Sequence, residues 1–166
     1  PPPRRDSEAR IPTSLAARYF NCASSTWIFP SLVFARCAKM SRITIAIAGL
    51  GSRGKDAYAQ ALAQMPERAK VVAIADPDAA KVREVARQFE IPAERCFDSA
   101  EALLAELRLA DALVLCTQDR QHVPQAIPAL RKGYDILMEK PISPDLAQCK
   151  EILAVARETG RKVVVC

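Results

Sequence analysis

Three glycines, Gly49, Gly51 and Gly54, an aspartate, Asp76, and a lysine, Lys140, are the residues of this chain whose types and spacing point to chemistry. The glycines stand in Gly49-Leu50-Gly51-Ser52-Arg53-Gly54, which follows the strand-favouring run Ile43-Thr44-Ile45-Ala46-Ile47-Ala48 and leads into an Ala-rich stretch from Lys55. A strand that ends in glycines and opens a helix aims free backbone N–H groups and the positive end of the helix dipole at one place, where a diphosphate can sit. In such a turn Gly49 permits the tight bend, Gly51 lets the backbone approach the phosphates, and Gly54 lets the helix pack closely on its strand. A second apolar run, Val71-Val72-Ala73-Ile74-Ala75, ends in Asp76, 22 residues past Gly54. At that spacing a carboxylate accepts the hydroxyls of an adenosine ribose, so these residues together predict dinucleotide binding.

Asp76 also bears on which dinucleotide. Its charge, reinforced by Asp78, repels the extra 2′-phosphate of NADP, so NAD is the expected cofactor. Arg53, inside the glycine turn, keeps NADP as the alternative, because its guanidinium is of the type that reaches a 2′-phosphate. An Asp before Pro77 has a plainer reading as a turn residue that caps the next helix. Lys140 belongs to Glu139-Lys140-Pro141, directly after the apolar run Tyr134-Asp135-Ile136-Leu137-Met138. A lysine at the carboxyl end of a strand in an open α/β sheet faces the ligand crevice, where its ammonium can hold a substrate hydroxyl or share in its proton loss. The plainer alternative is a surface ion pair between Lys140 and Glu139.

The elements that must position these residues alternate. Strands are expected near 43–48, 70–75, 111–116, 134–138 and 162–165, with a weak one at Arg95-Cys96-Phe97, and helices near 52–65, 78–89, 99–107, 122–132 and 144–159. Apolar strands each followed by an amphipathic helix signal a parallel sheet covered on both faces, so the fold class is α/β, a doubly wound Rossmann domain. Pro66 closes the first helical region, Gly133 and Gly160 stand where C-caps belong, and Ser99 and Ser143 where N-caps belong. Along 78–89 the residues Ala79, Val82, Val85, Ala86 and Phe89 share one face, which is core.

Composition excludes other classes. The chain has 166 residues, one domain's worth with some extra chain. Its net charge of +5 is concentrated at the front: residues 1–39 hold six Lys/Arg against two acids, and residues 40–166 hold eighteen against seventeen. A body that is nearly neutral and lacks basic clusters interleaved with aromatics is not built for nucleic acid. The six cysteines show no paired short spacing and read as buried thiols in a reducing compartment, without metal, consistent with a cytoplasmic location. No apolar run reaches the roughly 18 residues of a membrane span.

Residues 1–39 differ from the rest. They open Pro1-Pro2-Pro3-Arg4-Arg5, contain no glycine and carry five of the nine aromatics without a sustained period. The expectation is an unstructured extension, upstream sequence ahead of an ordinary start at Met40, with a targeting segment as the alternative. The domain itself is expected over 40–166 and to break off at Val163-Val164-Val165-Cys166, in or after its sixth strand.

The stretch Ala129 to Pro141, with the glycine turn at Gly49–Gly54, resembles the Gfo/Idh/MocA oxidoreductases, and the resemblance covers residues 42–166 in motif order and spacing. It implies that Gly49, Gly51 and Gly54 hold the pyrophosphate, that Ser52 and Arg53 line the same turn, and that Asp76 takes the adenosine ribose. Thr117, in Cys116-Thr117-Gln118-Asp119, matches a cofactor contact, although Gln118 stands where the family usually has Pro. His122, the only histidine, matches a family histidine near the nicotinamide; otherwise it reads as a surface or capping residue. Glu139, Lys140 and Pro141 complete the implied cofactor-binding set, Glu139 orienting the turn and Lys140 standing beside the nicotinamide as the catalytic residue. The implied reaction is hydride transfer between a nicotinamide and a sugar, cyclitol or related alcohol. The implied partners are that small-molecule substrate and, through a second domain beyond Cys166, further copies of the chain. The alternatives are a non-catalytic sensor module and a Rossmann domain for another ligand.

Overall fold

The computed structural model describes residues 41–166, so the expectations for residues 1–39 lie outside the described residues. Six strands form a parallel sheet: β1 Ile43–Ala48, β2 Ala69–Ala75, β3 Cys96–Phe97, β4 Ala112–Leu115, β5 Asp135–Met138 and β6 Val163–Val165. Their spatial order is β3-β2-β1-β4-β5-β6, the doubly wound Rossmann arrangement. The central strands β1, β2 and β4 are runs rich in alanine and branched aliphatics that are mostly buried, which is what a parallel sheet between two helical layers demands.

The alternation of side chains across the strands sorts the core into two layers. On one face Ile45 and Ile47 of β1, Val71 and Ile74 of β2 and Val114 of β4 pack with Ala59 and with Val85 of α2 (Ala79–Phe89). On the other face Ala46, Ala48, Ala73 and Ala75 meet α3 (Ala100–Ala105), α4 (His122–Arg131) and α5 (Leu146–Thr159) through Leu103, Val123, Leu130 and Ile152. Ile47, Ile74 and Leu113 are fully shielded from solvent, and burial of each side chain of this size contributes about 1.5–3 kcal/mol. The register of β1 on β2 slips between Ile45, opposite Val71, and Ala46, opposite Ala73, which leaves Val72 as the extra residue of a bulge.

The expected elements are present with shifted ends. The first helical region opens as a wide π-type segment, Ser52–Ala59, and tightens into the short α1, Gln60–Ala63, three residues before Pro66. Ser99 caps α3 as expected, accepting from the Ala102 N–H at 3.2 Å. At α5 the cap is Asp145 rather than Ser143: Asp145 accepts from Ala147 N–H, and the Ser143 hydroxyl instead accepts from the Asp145 N–H. Gly133 and Gly160 follow α4 and α5 with φ of +89° and +64°. α2 ends without a glycine, on Glu90 at φ +53°. Of its expected core face, Val85 is buried and Val82, Ala86 and Phe89 pack against the same cluster, whereas Ala79 is exposed. The cysteines correct another expectation: Cys96, Cys116 and Cys149 are free and half-buried, and Cys166 is exposed. Among the described residues no helix is long and apolar enough to cross a membrane.

Candidate dinucleotide site

β1 and β4 are neighbours in the sheet, yet the chain leaves them for opposite helical layers, which opens a crevice at their carboxyl ends. The glycine turn forms one lip. Gly49 has φ +89°, and a Cβ built on it lies 2.4 Å from the Cys116 carbonyl oxygen, so no other residue fits there. A Cβ on Gly54 lies 1.8 Å from the Gly49 carbonyl oxygen, so the helix start and the turn touch through these two glycines. Gly51 is different: a Cβ built on it meets nothing within 4 Å among the described residues, and its φ of −71° is ordinary. Among the described residues no side chain caps the helix start at Gly51, and Gly51, Ser52 and Arg53 are exposed. A bare helix N-terminus behind an open glycine fits a diphosphate.

Asp76 stands beside that turn, 7% exposed. Its Oδ2 accepts from the Leu50 N–H at 2.6 Å and its Oδ1 from the Asp78 N–H at 2.8 Å, so the carboxylate braces both the glycine turn and the turn into α2. Helix capping falls to Asp78, which accepts from the Ala80 and Lys81 N–H groups. These bonds hold the Asp78 carboxyl below its usual value. Two neutral-donor bonds leave lone pairs on Asp76 for ribose hydroxyls. Asp76→Ser is therefore expected to do two things: weaken discrimination between NAD and NADP, and lower stability by about 1–3 kcal/mol through the orphaned Leu50 N–H. Urea unfolding beside paired cofactor titrations measures both.

The second lip is the Glu139-Lys140-Pro141 turn after β5. Glu139 is buried, and its Oε1 accepts from Arg53 Nε at 2.7 Å and from the Tyr58 hydroxyl at 2.6 Å. The partner of Glu139 is thus Arg53 across the crevice, which replaces the ion pair with Lys140 that adjacency in sequence allowed. The same bond directs Arg53 Nε toward the Lys140 lip. The Tyr58 hydrogen bond, followed by Arg53, holds the Glu139 carboxyl below its usual value against the opposite pull of burial. Burial, with Cys166 and Glu139 beside it, raises the Tyr58 phenol above its ordinary range and keeps it a donor. A depressed folded value means that the Glu139 contribution is present above the unfolded carboxyl value and is lost as pH falls through the folded one. Tyr58→Phe removes the first cause, so thermal unfolding followed from about pH 7 to pH 3 should show a smaller acid-side loss than in the unmodified protein.

The loop after β4 closes the floor. The Thr117 hydroxyl donates to Gln125 Oε1 at 2.6 Å, and Gln125 Nε2 donates to Glu101 at 2.7 Å. His122 is buried, with Nδ1 2.8 Å from the Pro141 carbonyl oxygen and Nε2 3.0 Å from that of Thr117, so its ring ties this loop to the Lys140 turn. Both partners are carbonyl acceptors, so a neutral ring donates to one of them and faces the other with its lone pair. Arg53, Cys116, Thr117, His122, Glu139 and Lys140 line a cleft of about 430 Å³. Burial pushes the Cys116 thiol up to about 12, which makes it a poor nucleophile. Lys140 is exposed, and among the described residues no hydrogen bond or ion pair involves its ammonium. A larger apolar groove of about 570 Å³, between α5 and β6, contains none of the expected site residues.

The structure thus brings Arg53, Thr117, His122, Glu139 and Lys140 around one crevice, with Pro141 joined to it through His122 and Asp76 bound to the glycine turn at Leu50 rather than lining the cleft. Tyr58, Gln125 and Glu101 were not expected there. Nothing in their local sequence marks them, because each acts on a partner from another element.

Fold and crevice define a NAD-binding Rossmann domain. The chain belongs to the Gfo/Idh/MocA oxidoreductase family, whose NAD-binding Rossmann-fold model matches residues 43–166. It is 30% identical over 119 residues to inositol 2-dehydrogenase of Leifsonia xyli subsp. xyli, a match that covers 72% of this chain and 34% of that protein. The WlbA dehydrogenase of Bordetella pertussis, solved in complex with NADH and UDP-GlcNAcA, superposes with a TM-score of 0.67 at 29% identity over 75% of this chain and 37% of that one. Scyllo-inositol dehydrogenase of Lactobacillus casei, solved with NAD(H) and scyllo-inositol, shares the fold with a TM-score of 0.67 at 23% identity, covering 75% of this chain and 36% of that one. The chain spans about a third of the length of these relatives.

Proposed function

We propose that the full-length protein is an NAD-linked dehydrogenase or reductase acting on a cyclitol, sugar or related alcohol. The observation that carries this is the pairing, in one crevice, of an exposed glycine turn at a helix start with an exposed lysine on the opposite lip whose ammonium has no partner among the described residues. Gly49, Gly51, Ser52, Arg53 and Gly54 hold the diphosphate, and Asp76 holds the adenosine ribose. Thr117, His122, Glu139, Lys140 and Pro141 form the nicotinamide end, with His122 setting the distance between its two loops. The cofactor supplies hydride exchange at C4 of its nicotinamide. Lys140 holds the substrate hydroxyl beside it and takes part in moving that hydroxyl's proton, a contribution that depends on placing the reacting atoms about 3–3.5 Å apart. On the same reading the full-length protein carries a substrate domain and forms homo-oligomers through it. The free thiols agree with a cytoplasmic location.

The test is calorimetric titration of the full-length protein with NADH and with S-adenosylmethionine, followed by a dehydrogenase assay over cyclitols and sugars. Binding of NADH alone and NAD-dependent oxidation of a polyol are expected. Absence of NADH heat overturns the cofactor assignment, and NADH binding without turnover on any polyol favours a non-catalytic module.

A further inference from the structure

The guanidinium of Arg53 has two edges with different surroundings. Its Nε–H is committed to Glu139 Oε1 at 2.7 Å, its plane lies near the Tyr58 ring with the central carbon 5.8 Å from the centroid, and the side chain remains 59% exposed. No other hydrogen bond leaves this guanidinium among the described residues. A planar fork held at Nε presents its outer Nη donors in a set direction, and here the fork starts from the glycine turn itself. The Glu139 side chain is only 9% exposed, and its Oε1 also takes the Tyr58 hydroxyl, so the carboxylate cannot turn away from Arg53 without orphaning a phenol.

We propose that Glu139 and Tyr58 are positioning residues for Arg53, aiming its outer edge at the diphosphate of the bound dinucleotide and thereby coupling cofactor occupancy to the Lys140 turn. The inference rests on the dinucleotide reading above and deepens it. Glu139 and Lys140 are adjacent, so whatever fixes the Glu139 carboxylate fixes the backbone from which Lys140 projects. A diphosphate gripping the outer edge of Arg53 removes the remaining freedom of that guanidinium, and with it the freedom of Glu139. The proposal reverses a simple electrostatic expectation. By charge alone, Glu139 repels a diphosphate and its neutralisation tightens binding. If Glu139 instead sets the orientation of Arg53, its neutralisation weakens binding.

The experiment is a double-mutant cycle on the full-length protein, read as dissociation constants for NADH and for ADP-ribose, which carries the diphosphate without the nicotinamide. Glu139→Gln is expected to weaken both ligands about tenfold and to the same degree, the worth of one charge-assisted hydrogen bond. Arg53→Met weakens both by a similar factor, and the double variant is no weaker than Arg53→Met alone. Tyr58→Phe has a smaller effect in the same direction. Arg53→Lys, which keeps the charge and loses the fork, also weakens both ligands. It reports independently of any folding defect in Glu139→Gln. Tighter or unchanged binding in Glu139→Gln, an effect seen with NADH and not with ADP-ribose, or additivity in the double variant overturns the proposal. If the unmodified protein binds neither ligand, the dinucleotide reading itself fails and takes this inference with it.

Discussion

Replacing Lys140 with methionine in the full-length protein is expected to lower turnover by about 10²–10⁴-fold, the range contributed by a positioned proton-transfer group. Methionine keeps the unbranched apolar stem and deletes the ammonium. No hydrogen bond or ion pair involves that ammonium among the described residues, so its loss leaves nothing in the fold unpaired. Stability should stay within about 0.5 kcal/mol, as for surface substitutions away from structural features. NADH affinity should be retained, because the contacts proposed for the diphosphate and ribose lie on the other lip. Steady-state kinetics and calorimetry on the same preparation separate these quantities. Undiminished turnover contradicts the role assigned to Lys140.

The second large effect contrasts two glycines of one turn. Gly54→Ala places a methyl carbon 1.8 Å from the Gly49 carbonyl oxygen, which is backbone and cannot swing aside. The helix start must separate from the turn, at a cost of about 3 kcal/mol or more, and cofactor binding is lost together with stability. Gly51→Ala meets no atom of the described residues within 4 Å and keeps an ordinary φ, so the fold should be unaffected within about 0.5 kcal/mol. Its methyl instead occupies the space assigned to the diphosphate, and NADH affinity should fall by about 10–100-fold. Thermal unfolding and NADH titration of the two variants form a crossed test. If Gly51→Ala binds NADH normally, the diphosphate does not lie over that residue.

The sheet was legible because its signal is local. β1, β2, β4 and β5 are short apolar runs bounded by polar or glycine-containing turns, and their carboxyl ends carry Gly49, Asp76, Thr117 and Lys140 in a fixed succession. Ends of elements were less legible because they depend on which of two neighbouring polar side chains wins a cap. At α5 Asp145 won over Ser143, and Glu90 ends α2 in a conformation that glycine usually marks. Least legible were the contacts that join the lips of the crevice. Arg53 and Tyr58 reach Glu139 across 86 and 81 residues, and Tyr58 sits in an Ala-rich stretch that reads as ordinary helix. Asp76 was expected to face the ribose, and a one-dimensional pattern gave no sign that it also braces Leu50, because that bond exists only once β1 and β2 are paired.

The rim of the crevice is laced sideways: Arg53 to Glu139 joins the segments after β1 and β5, and the His122 ring, at the start of α4, joins Pro141 to Thr117. Three loops from distant parts of the chain therefore behave as one hoop. Retuning this crevice toward another ligand by exchanging a single loop would cut stitches in its neighbours, so such grafts should succeed only when the facing partners travel together.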